Sequence, residues 1–302
     1  SGTTEGLKRV TYENSTFVAV GESSTILTSS NGTTWTSVSV GNSGNSWTSV
    51  TSPTTSSLYG VTSGNNTFVA VGDSGNIVRS TDNGSTFNTV TSPTTAYRGV
   101  TFGNNTFVAV TYYGKIVRST DNGTTWDNAT SPTANILLGV GFGNNTFVGV
   151  GKSGNIVRST DNGSSFDNVT SRTAKEFRQV TFGNNTFVVV GVSGNIVRST
   201  DNGTTWDNVT SPTANLLNGI TYGNNTFVGG AGGDIVRSTD NGSSFSSVTI
   251  GQSTILEVAF GNNTFVAVRY DGSILRSTDN GTTWDNATSP TAEDLWGVVF
   301  QE

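Results

Sequence analysis

Short apolar runs alternate with polar turns along the whole chain, and the alternation itself repeats. One unit carries four such runs: Leu-x-Gly-Val-Thr as at 58–62, Thr-Phe-Val-Ala-Val as at 106–110, Ile-Val-Arg-Ser as at 156–159, and Thr-Thr-Trp-Asp-Asn-Val-Thr as at 204–210. Runs this short and this rich in Val, Ile, Thr, Phe and Trp suit a pleated, buried surface. Between them stand Gly-Asn-Asn, Ser-Gly-Asn and Asp-Asn-Gly, whose Asn and Gly residues tolerate the positive φ of tight hairpins. Each unit therefore predicts four antiparallel strands joined by short turns. The Val-rich second run does not alternate with polar residues, which suits a sheet covered on both faces.

The unit is written seven times. Ser-Thr-Asp-Asn-Gly places its Asp at 82, 121, 161, 201, 240 and 279, at steps of 39, 40, 40, 39 and 39 residues. A weaker copy upstream, 28–35, has Ser30 in the Asp place. A period near 40 built from short strands predicts an all-β fold, a single seven-bladed β-propeller of four-stranded antiparallel blades. The blades are expected at approximately 7–52, 53–93, 94–132, 133–172, 173–212, 213–251 and 252–290, with 291–302 as one surplus closing strand. The surplus arises because the first-strand signal occurs at 7–12 and again at 295–300. The two terminal copies are expected to compete for one inner slot. Blade 1 is irregular: Leu27 replaces the repeat Arg, and about 12 extra residues, 36–46 among them, are expected to lengthen a hairpin at the rim.

Composition changes this picture little. The net charge is −6 with 12% charged residues and no basic stripe, so no nucleic-acid partner is expected. No apolar run is long enough to span a membrane. Cys, Met and His are absent, which excludes disulfides, thiolate or imidazole metal ligands and His-based catalysis. No cofactor and no metal are expected. The Asn-x-Thr/Ser sequons are explained by turn chemistry. The Ser1-Gly2 start without Met reads as a processed or tag-cleaved end. Nothing fixes a compartment; a soluble chain is expected, with extracellular and virion-associated settings both open. The near-identical copies imply recent amplification or deliberate design.

Ser-x-Asp-x-Gly-x-Thr-Trp resembles the Asp-box, or BNR repeat, of sialidases and related propellers. Residues 119–126, 199–206 and 277–284 match it throughout, and the copies at 80–87, 159–166 and 238–245 end in Phe. The longer pattern also looks like the photosystem-assembly-factor (Ycf48-type) branch. The resemblance implies a structural role for Asp82, Asp121, Asp161, Asp201, Asp240 and Asp279 at the third hairpin, remote from any active site. The repeated Arg79, Arg118, Arg158, Arg198, Arg237 and Arg276 read as structural too, bridging neighbouring blades.

Catalysis of the sialidase kind would need three Arg residues around a carboxylate and a Tyr/Glu pair, and these should break the repeat. Of the repeat-breaking carboxylates, Glu176, Glu257 and Asp294 lie near the start of inner strands, but no triad or pair stands out. The chain is therefore read as a non-catalytic binding or structural module. A BNR glycoside hydrolase and a propeller with no evolved ligand are the alternatives. A ligand should sit where the copies disagree. That place is the residue after the inner-strand Leu, which reads Lys8, Tyr59, Arg98, Leu138, Arg178, Asn218, Leu256 and Trp296. The loop between strands two and three varies at the same face, with Asp73, Tyr112, Tyr113, Lys152 and Tyr270. The candidate ligand-binding set is Tyr59, Arg98, Tyr112, Tyr113, Arg178, Asn218 and Trp296. Aromatic rings beside Arg suit a glycan, a carboxylate or a peptide segment. A monomer is expected, with a strand-exchanged oligomer as the alternative.

Overall fold

The computed structural model describes residues 6–30, 48–287 and 294–299. The rim hairpin expected at 36–46 lies outside the described residues. The fold is all-β, with no α-helix among the described residues. Six sheets follow one another along the chain, five of four strands and a sixth of seven. The fourth sheet shows the common plan. Its strands Leu137–Gly143, Thr146–Gly151, Ile156–Ser159 and Asp167–Val169 each pair antiparallel with the next. The Asn-Asn turn closes the first hairpin with positive φ at both residues, 46° at Asn144 and 56° at Asn145, the geometry that matches strand twist.

The sixth sheet is longer because one strand, Ser246–Gly261, serves two units. Its first part pairs with Gly232–Ser238 and its second, from Ile255, with Thr264–Arg269. Four of the five other links between sheets carry Pro53, Pro93, Pro132 or Pro212, which cannot donate to a ladder, and the remaining one has Arg172 in that place at φ 61°. Here no proline interrupts the chain, and it bends through Gly251 at φ 132° without leaving the sheet.

The core lies between sheets. Val148, Val150 and Ile156 of the fourth sheet pack against Phe177, Phe187, Val189, Val197 and Trp206 of the fifth. Both faces of a second strand are thus covered, and all six residues of Thr186–Gly191 are buried. Each fully buried Val or Phe contributes about 1.5–3 kcal/mol relative to exposure. One close approach sets the register between neighbours. A Cβ on Gly143, at the end of an inner strand, would stand 2.0 Å from the ring of Phe182 in the next sheet. Gly64 under Phe102, Gly103 under Phe142, Gly183 under Tyr222 and Gly223 under Phe260 repeat the contact.

The two terminal first-strand signals do not compete for one slot. Leu7–Glu13 is the paired inner strand of the first sheet. Residues 294–299 form no ladder with a described strand, so the closing segment is not a strand there. They lie beside the first sheet's inner strand, where a Cβ on Gly297 would be 3.1 Å from Arg9 Cα.

Candidate functional site

The variable residue of each inner strand occupies a particular backbone position. Register shifts fall between Leu7 and Arg9, Leu58 and Gly60, Leu137 and Gly139, Phe177 and Gln179, and Ile255 and Glu257. Lys8, Tyr59, Leu138, Arg178 and Leu256 are therefore the extra residues of β-bulges, and Arg98 lies in the matching shift of its sheet. A bulged residue is left out of the ladder and its side chain is re-aimed. The ladder constrains such a position little, which is why the copies are free to differ there.

Five of the seven candidates come together in one arc. The Asp73 carboxylate accepts a hydrogen bond from Tyr59 Oη at 2.9 Å and pairs with Arg98 Nη1 at 3.0 Å. The Arg98 guanidinium lies 4.4 Å from the Tyr59 ring centre and 5.2 Å from that of Tyr112. Tyr113 meets Tyr112 edge-on at 5.9 Å. Lys152 Nζ is 6.0 Å from the Tyr112 ring and 3.9 Å from Glu176, which also pairs with Arg178 at 2.8 Å. Burial, then the hydrogen bond to Asp73 and its charge, push the Tyr59 hydroxyl above its ordinary range. Arg98 is thus held between two rings by one carboxylate. Tyr112 and Tyr113 present their rings outward, at 38% and 59% exposure.

The other two candidates lie elsewhere. Asn218 donates to the Ile255 carbonyl at 3.0 Å, a bond within the sheet. Trp296 stacks edge-on against Tyr270 at 5.0 Å, and Lys8 Nζ, paired with Glu22 at 2.7 Å, lies 4.1 Å from its ring.

The next residue along the inner strand lines the central cavity, and sequence reasoning singled out only Glu257 there. It is Gly at 60, 99, 139, 219 and 297 but Arg9, Gln179 and Glu257 in the other three copies. These three meet. Arg9 Nη1 is 3.3 Å from Glu257 Oε2, Gln179 Nε2 is 3.4 Å from Glu257 Oε1, and Gln179 Oε1 accepts the Ile220 N–H at 2.7 Å. Burial pushes the Glu257 carboxyl up, against the opposing pull of Arg9. The cavity, about 760 Å³, is lined by these residues with Glu13, Arg98 and Arg178 among others. The signal was available: three misspellings of a glycine in eight copies.

The repeated Asp residues belong to the hairpins at the other end of the strands. Asp121 accepts Ser119 Oγ at 2.8 Å, the Thr125 N–H at 2.9 Å and Thr125 Oγ1 at 2.6 Å, while Ser119 Oγ accepts the Gly123 N–H at 2.9 Å. Asp161 and Asp279 repeat the set, as do Asp82, Asp201 and Asp240. Slight burial raises these carboxyls, but the hydrogen bonds outweigh it. Asp121, Asp161 and Asp240 are held at about 2. Such a carboxylate is occupied within its own turn. Arg79, Arg118, Arg158 and Arg198 bridge neighbouring sheets, Arg158 Nε donating to the Asn202 carbonyl at 2.7 Å. Among the described residues, no group of three acidic or other ligating side chains could hold a metal ion. No described helix is long and apolar enough to cross a membrane.

Comparison with known proteins agrees on architecture. The family model described as a DUF6242 beta propeller domain matches residues 166–295. No curated protein sequence matches the chain. A structure of YCF48 bound to D1 peptide is 17% identical, with TM-score 0.70 over 91% of this chain and 92% of that one. YCF48 from Cyanidioschyzon merolae is 18% identical, with TM-score 0.62 over 78% and 86%. Sqt1 from Saccharomyces cerevisiae is 10% identical, with TM-score 0.73 over 95% and 86%. At these identities the likeness concerns the fold: the chain is built as a β-propeller with four-stranded antiparallel blades.

Proposed function

We propose that the chain is a seven-bladed Asp-box propeller that acts as a non-catalytic binding module for an extended peptide segment of a partner protein. The reading of seven blades is supported by dividing the sixth sheet at Gly251, which gives seven sets of strands between Leu7 and Ala287 among the described residues. The observation that carries the ligand reading is the arc of Tyr59, Arg98, Tyr112, Tyr113 and Arg178 on one face. The rings of Tyr112 and Tyr113 are exposed, and the arc's cations are already balanced by Asp73 and Glu176. A charge-balanced aromatic rim favours a mixed polar and apolar chain over a strongly acidic ligand. The D1 peptide bound in one YCF48 structure supports the same class of partner. Glu257 is engaged by Arg9 and Gln179, so it is not poised as a hydrolytic acid.

The test is selection against a random peptide display library, beside a glycan array. Peptides enriched by the native chain should lose about tenfold or more in affinity to Tyr112→Ala or Arg98→Ala, the usual scale for an aromatic or Arg anchor. Enrichment that is indifferent to both substitutions, or binding confined to the glycan array, would sink the reading.

A further inference from the structure

The chain repeats one chemically labile pair of residues and holds its copies unequally. In Asn-Gly a backbone nitrogen reaches a side-chain amide most easily, since glycine offers no Cβ to obstruct the approach. Among the described residues the pair closes the third hairpin at 83–84, 122–123, 162–163, 202–203, 241–242 and 280–281. These turns share one backbone. Asn83, Asn122, Asn162, Asn202, Asn241 and Asn280 have φ between 60° and 63°, and each following Gly is positive as well. Asn218-Gly219 is a different case, entering an inner strand with Asn218 bonded to the Ile255 carbonyl.

The preceding unit clamps all of these Asn residues but one. Asn162 Nδ2 donates to Thr106 Oγ1 at 2.6 Å, its side-chain oxygen accepts Asn104 Nδ2 at 3.1 Å, and its carbonyl accepts Arg118 Nη1 at 3.2 Å. Asn241 has the same three bonds, to Thr186, Asn184 and Arg198. Asn122 and Asn202 are held by the Thr and Arg of their neighbours, and Asn280 by Asn224 and Arg237. Asn83 is the exception. Its neighbour has Thr28 opposite Val18, where the others have Arg opposite Val, as Arg118 stands opposite Val108. The Asn83 side chain bonds to no described residue, Thr16 and Asn14 included. It is exposed, whereas the other five are half-buried. Only the glycine of this turn is seated: a Cβ on Gly84 would lie 3.0 Å from Thr28 and 3.2 Å from Val18.

We propose that Asn83 is a site of spontaneous deamidation, the one Asn of the described repeat turns that the fold leaves free to react. The Gly84 nitrogen attacks Asn83 Cγ and gives up its proton, and the side-chain nitrogen leaves as ammonia. The product is a five-membered succinimide. Water opens it at either carbonyl, leaving aspartate or isoaspartate, and no other reagent is needed. The attack requires Gly84 N–H to leave Ser80 Oγ, to which it donates at 3.0 Å. Every one of these turns shares that bond. What differs is the clamp on the Asn. The turn reacts from a locally opened state, and each clamping bond lowers the population of that state. Isoaspartate would place an extra backbone atom in the turn that seats Gly84 on Val18 and Thr28, so the modification acts on the contact between the first and second units.

The test incubates the folded full chain in mildly alkaline buffer and maps it by mass spectrometry, with fragmentation that separates aspartate from isoaspartate. Asn83 should convert about tenfold or more faster than Asn162 and Asn241. Those two are strict controls, because all three stand in the same local sequence, Ser-Thr-Asp-Asn-Gly-Ser. In urea the three should convert alike. Thr28→Arg, which restores the missing Arg, should slow Asn83. If that variant does not fold, Arg118→Thr should speed Asn162 instead. Equal rates at the three sites in the folded chain would overturn the proposal. So would a lead of Asn83 that survives in urea, or rates that neither substitution moves.

Discussion

The six repeated Asp residues illustrate how a side chain that looks chemical serves a turn. Asp161 accepts the Ser165 N–H at 3.0 Å and the Ser165 hydroxyl at 2.6 Å, so its charged form is favoured in the fold and its carboxyl sits at about 2. The unfolded value is near 3.9. A depressed folded value means stability that is present above about pH 4 and lost as pH falls toward about 2. Thermal melts between those values should show a steep loss. Asp161→Asn replaces one acceptor oxygen by a donor and should cost about 1 kcal/mol at neutral pH, with a shallower acid slope. An unchanged slope would argue against the turn bonds as its origin. The cavity pair has the opposite sign. Glu257 is raised by burial, so its contribution is present at low pH and is lost as pH rises through its folded value. Arg9 limits that loss. Arg9→Ala should cost about 2 kcal/mol at pH 7, discounted because Arg9 is partly exposed, and little below pH 4, where Glu257 is neutral. Chemical denaturation at both values checks it.

At the scale of the strand, the repeat letters proved to be packing instructions. The Gly that ends an inner strand leaves room for the next sheet's ring, and one interface shows the rule by exception. Glu13 stands where the six following units have Gly, and the ring opposite is replaced by Ser63. Glu13 accepts the Asn66 N–H at 3.0 Å, and Ser63 Oγ donates to the Tyr12 carbonyl at 3.2 Å. Ser63→Phe alone should therefore destabilise the chain by about 1–3 kcal/mol through overpacking. Adding Glu13→Gly should recover most of it, a coupling that a double-mutant cycle on denaturation free energies measures. The strands and turns were legible because periodicity and Asn-Gly chemistry are local. The bulges were not, since a register shift depends on the partner strand. The fused strand Ser246–Gly261 was not legible from its missing proline, since the link at Arg172 lacks one too and leaves two separate sheets. Five candidate residues form one cluster because the bulges of Tyr59, Arg98 and Arg178 stand beside the turn that carries Tyr112 and Tyr113. Asn218 and Trp296 are held instead by Ile255 and Tyr270.

At the scale of the whole molecule, the repeat count implied a ring but not how it closes, because closure is a contact between residues almost the full chain apart. Two terminal copies of the inner strand looked like rivals, and they are neighbours. Residues 295–299 insert beside Leu7–Glu13, with Arg9 Nη1 donating to the Trp296 carbonyl at 3.4 Å and Lys8 over the Trp296 ring. They also cap the last sheet, where Leu295 and Val298 pack on Ala259, Val268 and Ile274. The segment thus links the first and last sheets, and its removal should act on both. Deleting residues 294–302 strips the cover from Val268 and Ile274 and removes a cation–π partner of Lys8, a loss of about 3 kcal/mol. For a chain of this size the melting temperature should fall by roughly 6–12 °C. Hydrogen exchange should then rise in Leu7–Glu13 and Thr264–Arg269 while the fourth sheet stays protected. A uniform increase across all sheets would mean instead that the segment supports the ring generally. An unchanged melting temperature would mean that it does not close the ring.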